Sequence, residues 1–139
     1  METITIFTDG GARGNPGPSA IGVQMLDVEG KVIKELSEKI GNATNNFAEY
    51  QAVMRGLQAA KEHFGNRTKE LNFELKLNSE LVQKQLSGEY QIKEPGLVPH
   101  FIEIHNMRVS SFPNITFTHV TRELNTEADR LVNEALDAV

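Results

Sequence analysis

Three carboxylates stand where packing against a core would not ordinarily place an acid. Asp9 ends an alternating, β-branched segment, Glu49 begins an apolar stripe of helical spacing, and Asp129 falls in the first turn of the last predicted helix. If the elements that carry them meet at one edge of a sheet, they form an oxygen-rich site of the kind that Mg²⁺ or Mn²⁺ prefers. Carboxylates held that close repel one another and need a cation to stay ionised. The combination indicates a candidate metal site.

Each acid also has an ordinary structural explanation. An Asp before glycine is a common side-chain acceptor in a turn, which would account for Asp9. The spacing Asn46-x-x-Glu49 resembles a helix capping box, and Thr126-x-x-Asp129 could likewise be a cap. No single acid or pair decides between these explanations and a metal site.

The elements that must position these acids follow from hydrophobic spacing and turn residues. Alternation predicts strands over 3–9, 20–27, 31–40, 73–78 and 115–120. Helical spacing predicts helices from Glu49 to about Gly65, after an N-cap at Ser79, over 97–109 and from about Thr126. Gly10 to Pro18 is predicted as a turn and Asn42 to Asn46 as a polar break. The order β-β-β-α-β-α-α-β-α predicts an α/β fold with a mixed sheet flanked by helices.

Composition narrows the class of protein. The chain has 139 residues, which predicts a single domain over 1–139, and no cysteine, which excludes disulfides and thiolate chemistry. No apolar run approaches the ~20 residues of a membrane span and no signal peptide is recognisable, so we expect a cytoplasmic protein without a membrane partner. A net charge of −5, from 14 Lys+Arg and 19 Asp+Glu, argues against a large basic face for nucleic acid.

Four segments together resemble the type 1 ribonuclease H family. They are Thr8–Gly17 (TDGGARGNPG), Thr44–Tyr50 (TNNFAEY), Asn78–Val82 (NSELV) and His119–Asp129 (HVTRELNTEAD), in the family's order and spacing over essentially the whole chain. The resemblance implies a ribonuclease H-like fold, a five-stranded mixed sheet in the order 3-2-1-4-5 with helices on both faces. The basic helix-and-loop protrusion of the better-known bacterial members is missing, so the chain resembles a compact form.

The resemblance also implies a catalytic and metal-binding set of four acids. Asp9, Glu49 and Asp129 match three of these positions, but the fourth position carries Asn78. Family members resemble two-metal nucleases, in which two Mg²⁺ ions, with Mn²⁺ as a substitute, lie roughly 3.5–4 Å apart beside the scissile phosphate. An amide lacks the formal charge of a carboxylate and carries a donor that repels a cation. We therefore expect strongly impaired catalysis with substrate binding largely kept.

Two interpretations of Asn78 compete. One is a deliberate inactivating substitution, which the intact surrounding motifs and the minimal Asp-to-Asn change favour; the other is a natural divergent sequence with lost or altered activity. A third, in which Asn78 is itself a functional ligand, is the weakest of the three.

An RNA/DNA hybrid is the substrate that the resemblance implies, cleaved on the RNA strand to leave 5′-phosphate ends. The predicted substrate-binding residues are Gly10, Gly11, Ala12, Asn15, Thr44, Asn45, Ser79, Glu80, Arg122 and Asn125. Arg122 or Asn125 would stand in for the family's histidine loop, which is missing here. Few base contacts are implied, so cleavage should be neutral to sequence.

Other functions stay open at this point. Double-stranded RNA is kept as a second substrate, because compact forms similar to this one include enzymes that cut it. A non-catalytic domain that binds hybrid or double-stranded RNA through the same groove is the alternative function. A transposase or junction-resolvase core is disfavoured by the motif at Thr44–Asn46. A monomer is expected, since no apolar interface stripe is apparent.

Overall fold

The predicted succession of strands and helices is confirmed. The computed structural model describes residues 2–138; the end positions of the predicted domain 1–139 lie outside the described residues. The strands are β1 (Thr3–Ala12), β2 (Gly17–Leu26), β3 (Val32–Ala43), β4 (Asn72–Leu77) and β5 (Ile115–His119), and the helices are α1 (Asn45–Phe64), α2 (Glu80–Leu86), α3 (Val98–Ser111) and α4 (Thr126–Asp137). Short 3-10 turns cover Gly65–Lys69, Pro95–Leu97 and Arg122–Leu124. Within residues 2–138, every helix is too short or too polar to pass through a bilayer.

The strands form one mixed sheet in the predicted order β3-β2-β1-β4-β5. The first three strands pair antiparallel, whereas β1, β4 and β5 run parallel. This division follows from the connections, because tight turns join antiparallel neighbours and helical crossovers join parallel ones. The parallel half brings the ends of β1, β4 and β5 to the same edge of the sheet.

Helices cover both faces of the sheet, as predicted. The larger core packs α1, α2 and α3 on one face through residues such as Val53, Leu57, Val82 and Ile104. On the other face α4 is the one helix among the described residues, and its Val132 and Ala135 pack against Ala20 of β2. The helix that carries Glu49 and the helix that carries Asp129 therefore approach the sheet edge from opposite sides.

The turn and the polar break predicted from glycine, proline and asparagine are shorter than expected. β1 continues to Ala12 and β2 begins at Gly17, so the turn between them spans only four residues. β3 continues to Ala43, and α1 begins at Asn45 rather than at Glu49. Cross-strand pairing of Ala12 with Ser19 explains the first difference, since a partner strand overrides weak local propensity.

Candidate active site

Asp9 and Asn78 are brought side by side by the register of two parallel strands. Thr8 of β1 pairs with Leu77, the last residue of β4. The residues that follow them, Asp9 and Asn78, therefore lie next to each other at the same edge of the sheet. Asp9 itself lies within β1, opposite Gly22 of β2, and not in a turn. The turn-acceptor explanation of Asp9 is therefore wrong.

Glu49 reaches this edge from the second turn of α1. The helix is capped by Thr44, whose hydroxyl accepts a hydrogen bond from the Phe47 N–H at 3.2 Å. Glu49 therefore comes too late to cap, and the capping-box interpretation with Asn46 is wrong. The side chain is 7% exposed, and the Gly10 backbone N–H faces its carboxyl group. Burial of an acid that does not cap its helix needs another explanation.

Asp129 is held on α4 by contacts that also differ from the predicted cap. Asn125 occupies the N-cap position and makes no capping bond with its side chain, so Thr126 is already helical. One turn further along, Asn133 Nδ2 lies 3.4 Å from Asp129 Oδ2 and 3.1 Å from its backbone oxygen. The cap interpretation of Asp129 is wrong, and its carboxylate is oriented by Asn133.

The three acids interact through Asp9. Its carboxyl group lies within hydrogen-bonding reach of both Glu49 and Asp129. Burial raises the pKa of Asp9 to about 6, and the nearby Asp129 charge adds to the rise. Burial, and then repulsion from Asp9, holds the pKa of Glu49 well above its usual range. Glu49 Oε2 is buried without a hydrogen-bond partner among the described residues. The site therefore concentrates negative charge that its own contacts do not neutralise.

The donor set fits a hard divalent cation. It consists of carboxylate oxygens, the ligands that Mg²⁺ and Mn²⁺ prefer, and it includes the buried Glu49 oxygen that lacks a partner. The acids are arranged as two pairs that share Asp9. Within residues 2–138, no three His, Asp or Glu side chains are preassembled as a metal cage. The fourth predicted acid position offers only the amide of Asn78.

The acids open into a cleft of about 450 Å³. Of the predicted site residues, it is lined by Asp9, Gly10, Gly11, Ala12, Asn45, Glu49, Asn78, Ser79, Arg122 and Asp129. The remaining predicted residues, Asn15, Thr44, Glu80 and Asn125, lie outside this lining. The structure thus gathers the four predicted catalytic positions and six of the ten predicted substrate residues around one cavity.

Ala12, Asn15 and Asn45 form one hydrogen-bonded unit beside the cleft. Asn45 Oδ1 accepts from the Ala12 N–H at 2.9 Å, and Asn15 Oδ1 accepts from the Asn45 N–H at 3.0 Å. The loop between β1 and β2 is thereby tied to the start of α1. Both Asn side chains are exposed.

Two other predicted residues cap helices, and one of the two predicted glycines is required for packing. Thr44 caps α1, and Ser79 caps α2 by accepting from the Val82 N–H at 3.2 Å. A Cβ at Gly10 would collide with the Ala48 carbonyl, so the absence of a side chain there admits α1. Gly11 has more room, since a Cβ would meet only Val132 Cγ1 at 3.5 Å.

The last three predicted substrate residues differ in solvent exposure: Arg122 and Glu80 are exposed, and Asn125 is buried. Arg122 is exposed at the cleft, and its charge lowers the pKa of Asp9 against the larger effect of burial. Asn125 is 2% exposed and makes its contacts inside the protein. Glu80 is exposed in the first turn of α2.

The cleft also contains residues that sequence reasoning missed. Arg13, Asn46 and Asn133 line it. Arg13 forms an ion pair of 2.6 Å with Asp137 and lies 3.5 Å from Asn133 Oδ1. Asn133 follows Asp129 by one helical turn, which is the signal that could have identified it.

Known proteins are similar to this chain in sequence and in fold. A family model described as reverse transcriptase-like matches residues 7–135. Ribonuclease HI of Halobacterium salinarum is 40% identical over 134 residues, covering 96% of this chain and 64% of that protein. A bifunctional protein of Mycobacterium tuberculosis is 37% identical, covering 97% of this chain and 36% of that protein. The chain thus spans between about a third and two thirds of the length of these relatives.

Solved structures agree over nearly full length. LC11-RNase H1, isolated from compost by a metagenomic approach, has a TM-score of 0.93 and 45% identity, covering 99% of this chain and 97% of that chain. The same protein in complex with an RNA/DNA hybrid has a TM-score of 0.92 and 46% identity, covering 96% of each chain. The fold and the acid-lined sheet edge define a ribonuclease H-like domain. This chain belongs to the ribonuclease H family.

Proposed function

We propose that this chain binds RNA/DNA hybrids and is built to hydrolyse their RNA strand, with catalysis strongly impaired by Asn78. The observation that carries the proposal is the convergence of Asp9, Glu49 and Asp129 on one cleft. Family membership and the hybrid complex of LC11-RNase H1 support the substrate.

Divalent metal is part of the proposal. Asp9, Glu49 and Asp129 would hold Mg²⁺, or Mn²⁺ in its place, because they supply negative oxygen ligands whose mutual repulsion a cation relieves. When bound, a pair of such ions supplies activation of the attacking water and charge stabilisation at the leaving oxygen. The protein's own part is to hold these carboxylates at the sheet edge and to orient Asp129 through Asn133.

Asn78 weakens this site in a defined way. It occupies the end of β4 beside Asp9, where a fourth carboxylate would face the same cleft. A neutral amide contributes one oxygen without charge and one N–H donor. Because Asp and Asn have the same shape, hybrid binding should survive while metal affinity and turnover fall.

The unit of Ala12, Asn15 and Asn45 is the proposed contact with the minor groove of the hybrid. Both asparagines are exposed beside the cleft and are held by backbone bonds. The 2′-hydroxyl groups in that groove would distinguish the RNA strand. Double-stranded RNA shares the groove shape, and we keep it as a proposed second substrate.

A non-catalytic hybrid-binding domain is the second candidate, favoured by the same Asn78. In that case the cleft positions the duplex and the incomplete acid set never cuts it. The two functions share the predicted binding surface and differ only in turnover.

The deciding experiment measures cleavage of a labelled RNA/DNA hybrid in Mg²⁺ and Mn²⁺ by the chain and by its Asn78→Asp variant. Restoring a metal ligand should raise the rate by about 100-fold or more, with hybrid affinity changed little. Products should carry 5′-phosphates. Double-stranded RNA, single-stranded RNA and double-stranded DNA are assayed in parallel.

Glu49→Gln in the Asn78→Asp background is the matched control, because it removes one site carboxylate and should abolish the gain. If Asn78→Asp cuts no faster than the chain, Asn78 is not the cause of impairment. Salt-dependent hybrid binding by both proteins without cleavage by either would support the binding domain instead.

A further inference from the structure

Asn125 is a buried polar residue behind the cleft, in contact with the segments that carry the site, and the proposed function does not explain its role. It lies in the connector between β5 and α4 and is 2% exposed. Its Nδ2 donates to the Thr8 backbone oxygen at 2.9 Å, a bond between residues 117 positions apart. The sequence predicted a contact with substrate, but a side chain enclosed this fully has little surface to offer a phosphate.

The contacts of Asn125 reach three of the four catalytic positions. Thr8, which its side chain holds, precedes Asp9 directly. The same Nδ2 lies 3.4 Å from Asn78 Oδ1. Its backbone oxygen accepts from the Asp129 N–H at 3.1 Å. One residue therefore links β1, the end of β4 and the start of α4 at the sheet edge.

These contacts also determine which atom of the Asn78 amide is bound by Asn125. A backbone oxygen can only accept, so the Asn125 atom that faces Thr8 must be the donor Nδ2. The Asn78 atom that faces the same Nδ2 must then be its acceptor, Oδ1. The one atom of Asn78 able to ligate a cation is therefore engaged by Asn125, and the donor end is left over.

We propose that Asn125 is a positioning residue that orients the side chain at position 78 and sets the spacing between Asp9 and Asp129. The inference rests on the proposed metal-dependent function. With a carboxylate at position 78, Asn125 Nδ2 would hold one oxygen and leave the other for a cation. With Asn78, the same bond takes one of the two lone pairs of the only candidate ligand atom, so Asn125 should support metal binding in the carboxylate background and contribute little in this one.

The test is a double-mutant cycle on Mn²⁺ affinity, measured by titration calorimetry on the chain, Asn125→Ala, Asn78→Asp and the double variant. Asn125→Ala should weaken Mn²⁺ binding by about 10-fold or more in the Asn78→Asp background, the size expected for loss of a partner that orients a ligand. It should change binding by less than about 2-fold in the chain itself. Hybrid cleavage by the double variant should lose kcat while KM stays within about 2-fold of the Asn78→Asp value.

Thr68→Val is the control for a purely structural effect. Thr68 is 0% exposed, and its hydroxyl donates to the Gly65 oxygen at 3.2 Å, in a turn after α1. In the Asn78→Asp background this variant should lower the melting temperature but leave Mn²⁺ affinity unchanged. Asn125→Ser, which keeps a shorter donor, replaces Asn125→Ala if the latter does not fold, and should weaken binding less.

Equal Mn²⁺ affinities for Asn125→Ala and Thr68→Val in the Asn78→Asp background would overturn the positioning role while leaving the metal site intact. Absence of Mn²⁺ binding by Asn78→Asp itself would overturn the metal site, and the inference with it. Failure of the positioning role is measured on Asn125→Ala, whereas failure of the metal site is measured on Asn78→Asp, so the two outcomes are distinguishable.

Discussion

Asp9 and Glu49 are both 7% exposed and neighbour each other, and the exposed Arg122 offsets only part of the effect of burial on Asp9. Burial of a carboxylate disfavours its charged form, and a second acid nearby adds to the penalty. Without a cation, this pair makes the folded state bind protons more readily than the unfolded chain does. A site built in this way should reveal itself in the pH dependence of stability.

Asp9→Asn should stabilise the metal-free protein increasingly as pH rises. The pKa of Asp9 is about 6 in the folded protein, compared with an ordinary value of 3.8 that applies to the unfolded chain. Between pH 3.8 and about pH 6, the folded state therefore keeps a proton on Asp9 that the unfolded state has lost. Stability of the parent chain therefore declines across that window, because the unfolded state releases its proton first. The variant lacks the part of this decline that comes from Asp9, whereas the buried Glu49 keeps its own contribution, and the variant should gain on the order of 1–3 kcal/mol by pH 7. Urea unfolding in EDTA from pH 4 to pH 7 measures the difference.

Glu103→Gln, which removes an exposed acid on α3, is the comparison for the Asp9→Asn series. Its stability relative to the parent chain should not vary with pH across the same range. A pH-independent difference for Asp9→Asn as well would show that Asp9 is not strained by burial.

At the scale of elements, two glycines let α1 and α4 touch the sheet from opposite faces. A Cβ at Gly10 would collide with the Ala48 carbonyl of α1, and one at Gly22 would collide with the Ala128 carbonyl of α4. Gly22 pairs with Asp9 across β1 and β2. The close approach at Gly22 therefore sets the distance between Asp9 and the helix that carries Asp129.

Gly22→Ala should destabilise the fold by about 1–3 kcal/mol, since the helix backbone must move to accept the added methyl group. Gly11→Ala is the matched control on the same face, because its Cβ would make an ordinary contact of 3.5 Å with Val132. That variant should cost less than about 1 kcal/mol. Urea unfolding compares the two, and equal effects would contradict the packing role of Gly22.

Most of the elements could be predicted because their signals are local. Ser79 is the predicted cap of α2, and Gly65 ends α1 as expected. The start of α1 was placed too late because Thr44, Asn45 and Asn46 are all acceptable caps. Only the point where β3 ends, which depends on pairing with β2, selects Thr44.

The candidate site also has one part that local sequence signals indicate and another part that depends on long-range contacts. Residue type, spacing and family resemblance are the basis for predicting Asp9, Glu49, Asn78 and Asp129 as the site, and the fold brings these four residues to one cleft. The burial of Asn125 could not be predicted in that way. It depends on a bond to Thr8, at the other end of the chain, that no local pattern encodes.

At the scale of the whole molecule, net negative charge and a nucleic-acid partner are compatible. The chain carries a net charge of −5, and part of the acidic excess lies in the cleft that is proposed to bind metal. The basic side chains that line this cleft, within residues 2–138, are Arg13 and Arg122. Between α2 and α3 the described chain holds only the 3-10 turn Pro95–Leu97, so no basic protrusion adds to them.

Hybrid binding should therefore depend only modestly on salt. Two arginines line the cleft, and one of them, Arg13, is paired with Asp137, so the slope of log K against log salt should be no steeper than about −2. Arg122→Ala should reduce the slope by about 1. Fluorescence anisotropy with the parent chain, whose cleavage we propose to be impaired by Asn78, measures both at constant Mg²⁺ and varied KCl. A parent slope steeper than about −5 would indicate a basic surface outside the cleft.

The hydrogen bonds that hold Asn15 and Asn45 against the backbone determine how far these residues could distinguish base sequence. Each carboxamide oxygen is held by a backbone N–H of the protein, so the group that each side chain leaves free for a ligand is its NH₂ donor. Every base pair presents an acceptor in the minor groove, at purine N3 or pyrimidine O2, whatever its identity. Donor groups can therefore bind each of the four bases in the minor groove. In a bound hybrid, these asparagines would contact the minor groove without distinguishing its base sequence.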